Sequence, residues 1–176
     1  MDIKLVDGTS FVNTEKKSVN LFSYSRKYTN TKWLTTILPV AFDYSDWSSK
    51  FEIAEITGIS AEVEDGVLKS FTYEKTILKS GSKTKPNHPY LIRAKKANTS
   101  SYQVLSKTNC EVFPTTPIDN IELVSEDFKF VISGTYSKVE YPDFDYYMSG
   151  EVWKPATASS SVGPFRNFIC IDIVDD

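Results

Sequence analysis

His88 is the only histidine in the chain, so any imidazole-dependent catalysis has to use it. It lies between Asn87 and Pro89 in a stretch rich in turn residues, and no Gly-x-Ser-x-Gly elbow accompanies it. Those neighbours favour a loop histidine without a chemical role. One histidine and two separated cysteines do not make a zinc site. Carboxylate pairs need no histidine, because glycoside hydrolysis runs on two Asp or Glu side chains at a suitable separation. The candidates are Asp43 with Asp46, Glu52 with Glu55, and Asp143 with Asp145. A chain with 23 acidic residues produces such pairs by chance, and solvated loop acids account for them equally well. Glu62, Glu64 and Asp65 stand before Gly66 but lack the alternating Asp/Asn ligands and terminal Glu of a calcium loop. No metal ligand set and no cofactor are expected.

Aromatic rings are the other source of chemistry. Trp33, Trp47 and Trp153, with Tyr141, Phe144, Tyr146 and Tyr147, can stack on a sugar or anchor a protein partner. Trp33 and Trp47 sit inside strongly apolar segments, whereas Trp153 adjoins Lys154-Pro155 and a Ser-rich loop and is the most accessible candidate of the three. In the run Tyr141-Pro-Asp-Phe-Asp-Tyr-Tyr147, apolar and acidic residues alternate outside a clear core pattern. A ligand is therefore expected near Trp153 and Tyr141, Phe144, Tyr146 and Tyr147, with Asp143 and Asp145 accepting its hydroxyls. In the competing reading these rings pack inward and the acids solubilise a strand edge.

The elements that would position these residues are strands. The segment 33–42 carries Leu34, Leu38, Val40 and Phe42 on one parity and Trp33 and Ile37 on the other, as for a strand buried on both faces. One short helical turn is expected near 45–51, capped by Ser45 or Asp46, with Trp47 and Phe51 four residues apart on one side. Asp65-Gly66 between alternating runs predicts a hairpin. Its outgoing strand puts Val67, Phe71, Tyr73 and Ile77 on one face. Further short strands are expected at 3–5, 19–30, 59–63, 90–95, 102–105, 110–113, 121–124, 128–132, 141–148 and 165–173, the last ending at an acidic tail of Asp175 and Asp176. The loop 156–163 is small-residue rich. Phe128, Phe130 and Ile132 share a core face. About ten to twelve such strands indicate an all-β antiparallel sandwich or jelly-roll-like body, and the absence of repeats or composition breaks indicates one domain over residues 1–176.

Composition agrees with this class. Ten Tyr, eleven Phe and plentiful Ser and Thr suit half-buried pleated surfaces. The net charge of −3, with scattered Lys and Arg, argues against a nucleic-acid reader. No apolar run is long enough to span a bilayer, and the N-terminus lacks the plan of a signal peptide. The chain is thus either cytoplasmic or a mature or recombinant piece whose signal is missing. Cys110 and Cys170 are expected as free thiols, although a bridge between them would stabilise by roughly 4 kcal/mol.

Several phrases in order resemble one family: Tyr24-Ser-Arg-Lys-Tyr-Thr-Asn-Thr-Lys-Trp33, Leu38-Pro-Val-Ala-Phe42, Tyr44-Ser-Asp-Trp47, Phe51-Glu-Ile-Ala-Glu-Ile56, Pro89-Tyr-Leu-Ile-Arg-Ala-Lys95, Gly134-Thr-Tyr136 and Gly163-Pro-Phe-Arg166. Together they resemble the β-rich domain found toward the C-terminus of secreted and surface proteins of Bacteroidetes, often behind leucine-rich repeats of the adhesin type. The resemblance implies an extracellular or cell-surface home for a fragment of a longer protein. It also implies a non-catalytic binding or adhesion role toward a protein or glycan. The family's longer acidic insert is reduced here to Glu62–Gly66, and Trp153 stands where relatives are Gly-rich. A structural terminal or anchoring domain without ligand is the alternative, and a carboxylate-dependent glycan hydrolase ranks third.

Overall fold

A computed structural model describes residues 1–174; the expected acidic tail at Asp175 and Asp176 lies outside the described residues. The described residues form fourteen strands, beginning with β1 (Asp2–Val6), β2 (Lys17–Arg26), β3 (Leu34–Thr36), β4 (Phe51–Glu64) and β5 (Val67–Ile77). Next come β6 (Tyr90–Ala94), β7 (Gln103–Val112), β8 (Ile121–Ser125), β9 (Phe128–Thr135) and β10 (Val139–Glu140). The last four are β11 (Tyr146–Ser149), β12 (Val152–Pro155), β13 (Ser161–Val162) and β14 (Arg166–Ile173). A single 3-10 turn, Tyr44–Asp46, is the only helical element among the described residues.

Three sheets stack in a sandwich-like, predominantly antiparallel body. One has the order β1-β2-β7, the second β3-β6-β4-β5 and the third β12-β11-β14-β9-β8, with β10 and β13 pairing separately. Among the described residues only β1 and β2 run parallel. Alternation along the second sheet decides the layering. Phe51 and Ile53 of β4 and Tyr90, Ile92 and Ala94 of β6 join Phe22, Tyr24 and Leu105 in one core. Ala54 and Ile56 of β4 and Leu91 of β6 point the other way, into a second core with Phe130, Ile132, Trp153 and Ile169. The second sheet is therefore the middle layer, covered on both faces where β4 and β6 pair.

Local irregularities set which residues reach the cores. In β4 an extra residue at Thr57 shifts the register, so Ile59 and Ala61 stay on the side of Ile56 despite their changed parity. A second shift places Lys69 out of register on β5, which turns Leu68 inward and leaves Val67 exposed. Val67 thus leaves the face expected for it. The predicted hairpin forms, with Asp65 and Gly66 at φ of 53° and 75° as a tight turn with two left-handed residues requires. Buried polar groups stitch the layers together. The Asn167 side-chain amide of β14 donates to the carbonyls of Thr36 and Tyr90, both at 3.1 Å, joining the third sheet to the middle one. Arg166 reaches Asp7 beyond β1 at 2.8 Å.

Three expectations need correction. Residues 33–42 do not form one strand. Only Leu34–Thr36 does, and the chain then runs irregularly through Pro39, which has no N–H to give a ladder. Ile37, Leu38, Val40 and Phe42 are nevertheless buried, because this segment packs into the first core, while Leu34 is half-buried. Segments 102–105 and 110–113 belong largely to one ten-residue strand, β7. The helical turn starts earlier than predicted: Asp43 occupies the cap position without a side-chain hydrogen bond, although Phe51 N–H does donate to Trp47 carbonyl at 2.9 Å. Phe130 and Ile132 are buried as expected and Phe128 half-buried. Cys110 and Cys170 are free thiols.

Candidate functional site

His88 is no idle loop histidine. It is 5% exposed, and its Nε2 lies 2.7 Å from Glu55 Oε1. Its Nδ1 lies 3.0 Å from both the Asp119 carboxylate and the Asp119 carbonyl. Both ring nitrogens are thus within hydrogen-bond reach of an acidic side chain. The adjoining Asn87 donates to the Pro114 carbonyl and accepts from Tyr136 Oη, both at 2.6 Å. The loop before β6 is thereby clamped to β4 and to the segment before β8. His88 joins the loop before β6 to Glu55 of β4 and to Asp119, as a structural clasp does.

The carboxylate pairs are also spent or separated. Glu52 and Glu55 lie on opposite faces of β4: Glu52 meets Arg93 at 2.8 Å, while Glu55 holds His88. Asp43 faces Lys83 at 3.8 Å, and Asp145 accepts the Ile171 N–H at 2.7 Å. Among the described residues no group of three or more His, Cys, Asp or Glu is placed to hold a metal ion.

The aromatic run divides between two faces. Trp153, 7% exposed, and Tyr146 turn into the second core, where Tyr146 meets Phe71 edge-on at 4.9 Å. Burial, assisted by nearby Asp145, raises the Tyr146 phenol above its ordinary pKa. Phe144 is buried on the other side with Tyr147 and Phe168, at ring separations of 6.4 and 6.1 Å. Tyr141 alone is well exposed, at 47%, beside exposed Asp143 and Asp145. Strand alternation is the cause, since adjacent residues of β11 must point to opposite faces. The expected accessible Trp153 is corrected to a core residue, and the rings do not stand together on one wet surface.

A different surface has the form of a site. Beside the start of β7 runs an open groove of about 810 Å³. Tyr102, Gln103 and Val104 line it together with Lys50, Lys95 and Lys96. Among the described residues no acidic one lines it, although Asp46 lines a smaller pocket of about 150 Å³ that shares Lys50 and Val104 with it. The lysines meet because β4 and β6 are paired in the register Phe51↔Ala94, so that Lys95 N–H donates to the Lys50 carbonyl at 2.9 Å just beyond the strand ends. The Lys95 ammonium also donates to the Ser48 carbonyl. None of the three has a carboxylate partner among the described residues. Tyr102 and Val104 are 55% and 50% exposed. No candidate drawn from the sequence lay in this groove. Its only signal there was the pair Lys95-Lys96, and Lys50 joins it solely through strand register.

Compared with known proteins, the chain matches no family model, no curated protein and no solved structure. Among the described residues no helix is long and apolar enough to cross a membrane.

Proposed function

We propose that this chain is a non-catalytic binding or adhesion module of a Bacteroidetes surface or secreted protein, working outside the cell on a protein or glycan. The groove beside β7 is the observation that carries the reading. It is open and lined by an exposed tyrosine and valine and by lysines that have no carboxylate partner among the described residues. Such a surface attracts an extended, negatively charged chain and gives it an apolar strip to lie on. The ordered phrases that resemble the Bacteroidetes domain support the extracellular setting. The middle sheet, shared by both cores, supports treating the chain as one binding unit.

Titration with polyglutamate and polygalacturonate, with dextran as the neutral control, tests the proposal. Both acidic polymers should bind and dextran should not, and the Lys50→Glu/Lys96→Glu variant should lose the interaction while melting like the parent. If no acidic polymer binds, or the variant binds unchanged, the structural alternative without a ligand replaces this reading.

A further inference from the structure

We propose that the uncovered first half of β7 takes an extended acidic peptide as an added strand. This deepens the reading of the groove and rests on it. Among the described residues β7 is an outer strand of its sheet and pairs only with β2. Its far end is protected: Phe113 N–H donates to the Pro39 carbonyl at 2.8 Å, and Lys107 Nζ reaches the Ala41 carbonyl at 2.9 Å. Among the described residues, 102–106 make no backbone hydrogen bond except to β2. Those five residues span about 17 Å of extended chain, enough for a short segment to pair along.

Proteins normally blunt an open edge with charge, proline or a bulge, because its free N–H and C=O groups recruit other strands. This edge carries none of them: Tyr102, Gln103, Val104, Leu105 and Ser106 are uncharged, and 103–108 pair with β2 without a register shift. The other long outer strand, β5, differs on both counts. It has Lys69 out of register and carries Glu74 and Lys75. The charge near β7 sits instead on Lys50, Lys95 and Lys96, which line the same groove. An added strand would point alternate side chains to each of its faces, so one set could meet these lysines. Acidic residues at every second position match the lysines, while the backbone supplies the pairing that β7 lacks.

A fluorescent peptide of about eight residues alternating Glu and Thr is the probe, long enough to cover the open edge. Controls are the Lys-for-Glu peptide and a copy N-methylated at every second amide, titrated by anisotropy. Backbone amides of isotope-labelled protein are followed by NMR. The Glu peptide should bind, with the largest amide changes at 103–106. The Lys peptide and the N-methylated copy should each bind at least about tenfold more weakly, as should the Glu peptide to Lys50→Glu/Lys96→Glu. Equal binding of the N-methylated copy, or amide changes elsewhere, overturns strand addition but leaves an acidic-ligand groove. Binding of polygalacturonate without the peptide overturns the peptide as occupant. No binding by any acidic polymer overturns this proposal and the function it rests on together.

Discussion

Gly134 offers a sharp test of the packing between the third sheet and the segment after β3. A methyl group built on it would lie 2.5 Å from Ile37 Cδ1, 3.1 Å from Ile37 Cβ and 2.9 Å from Asn167 Oδ1. Carbon atoms in good contact stand about 3.5–4.0 Å apart, so the added methyl intrudes by about 1 Å. Neither neighbour can yield cheaply. Ile37 is fully buried, and Asn167 is held by its two amide hydrogen bonds. In open space, Gly→Ala would stabilise by about 0.4–1 kcal/mol through the unfolded chain. Overpacking costs about 1–3 kcal/mol. Gly134→Ala should therefore destabilise by a net of about 1–2 kcal/mol. Ile37→Val removes the Cδ1 methyl and should cost about 0.5–1.5 kcal/mol alone. Together the two changes should cost less than their sum by at least about 0.5 kcal/mol, since one makes room for the other. Urea unfolding followed by tryptophan fluorescence, with midpoints compared at constant slope, measures all four proteins. Additive single effects, or a Gly134→Ala protein more stable than the parent, would refute this account of the packing.

Phe130→Ala should destabilise by about 3–5 kcal/mol in the same assay, because Phe130 is fully buried in the second core. Asn167→Leu should cost at least about 2 kcal/mol by stranding the Thr36 and Tyr90 carbonyls, whereas a change below about 0.5 kcal/mol would mean those acceptors find water. Burial pushes the phenols of Tyr28 and Tyr90 up to about 12 from 10. The stability these neutral rings contribute is fully present below about pH 10 and is lost as pH rises through about 12, by about 2–3 kcal/mol for each. Urea midpoints and phenolate absorbance across that window should fall and rise together, and a flat midpoint would contradict it. Thiol titration should find two reactive groups per unfolded chain without reductant, matching free Cys110 and Cys170.

The all-β class was legible because its signals are local: alternation in β9 and β14, and the Asp65-Gly66 turn. Failures came where a burial pattern has two structural causes. Residues 33–42 are apolar on both parities, which suits a central strand. Here they are apolar because an irregular segment around Pro39 packs into the first core. The strands covered on both faces are β6, whose five residues are too few to announce it, and the first part of β4. In β4 the extra residue at Thr57 resets the alternation, so a strict period of two divides one fourteen-residue strand into two segments. The candidate site was less legible still. Tyr146 and Tyr147 are adjacent in sequence yet lie on opposite faces, whereas Lys50 and Lys95 are far apart in sequence and neighbours across a strand pair. His88 looked idle because its partners, Glu55 and Asp119, come from distant segments.

The doubly covered middle sheet carries a consequence for synthesis. Strands β1 to β7 leave the ribosome first and contain two of the three sheets, so the first core can close around them, lacking only Tyr136 and Phe165 of its large rings. The opposite face of the middle sheet, with Trp33, Ala54, Ile56 and Leu91, then waits bare until β8 to β14 emerge. For that interval the nascent chain displays a flat apolar surface, the kind of intermediate that chaperones bind and that clumps when they are scarce. A chain halted after β7 should be made as aggregates, and its yield should rise when β8 to β14 are supplied in the same cell as a separate polypeptide.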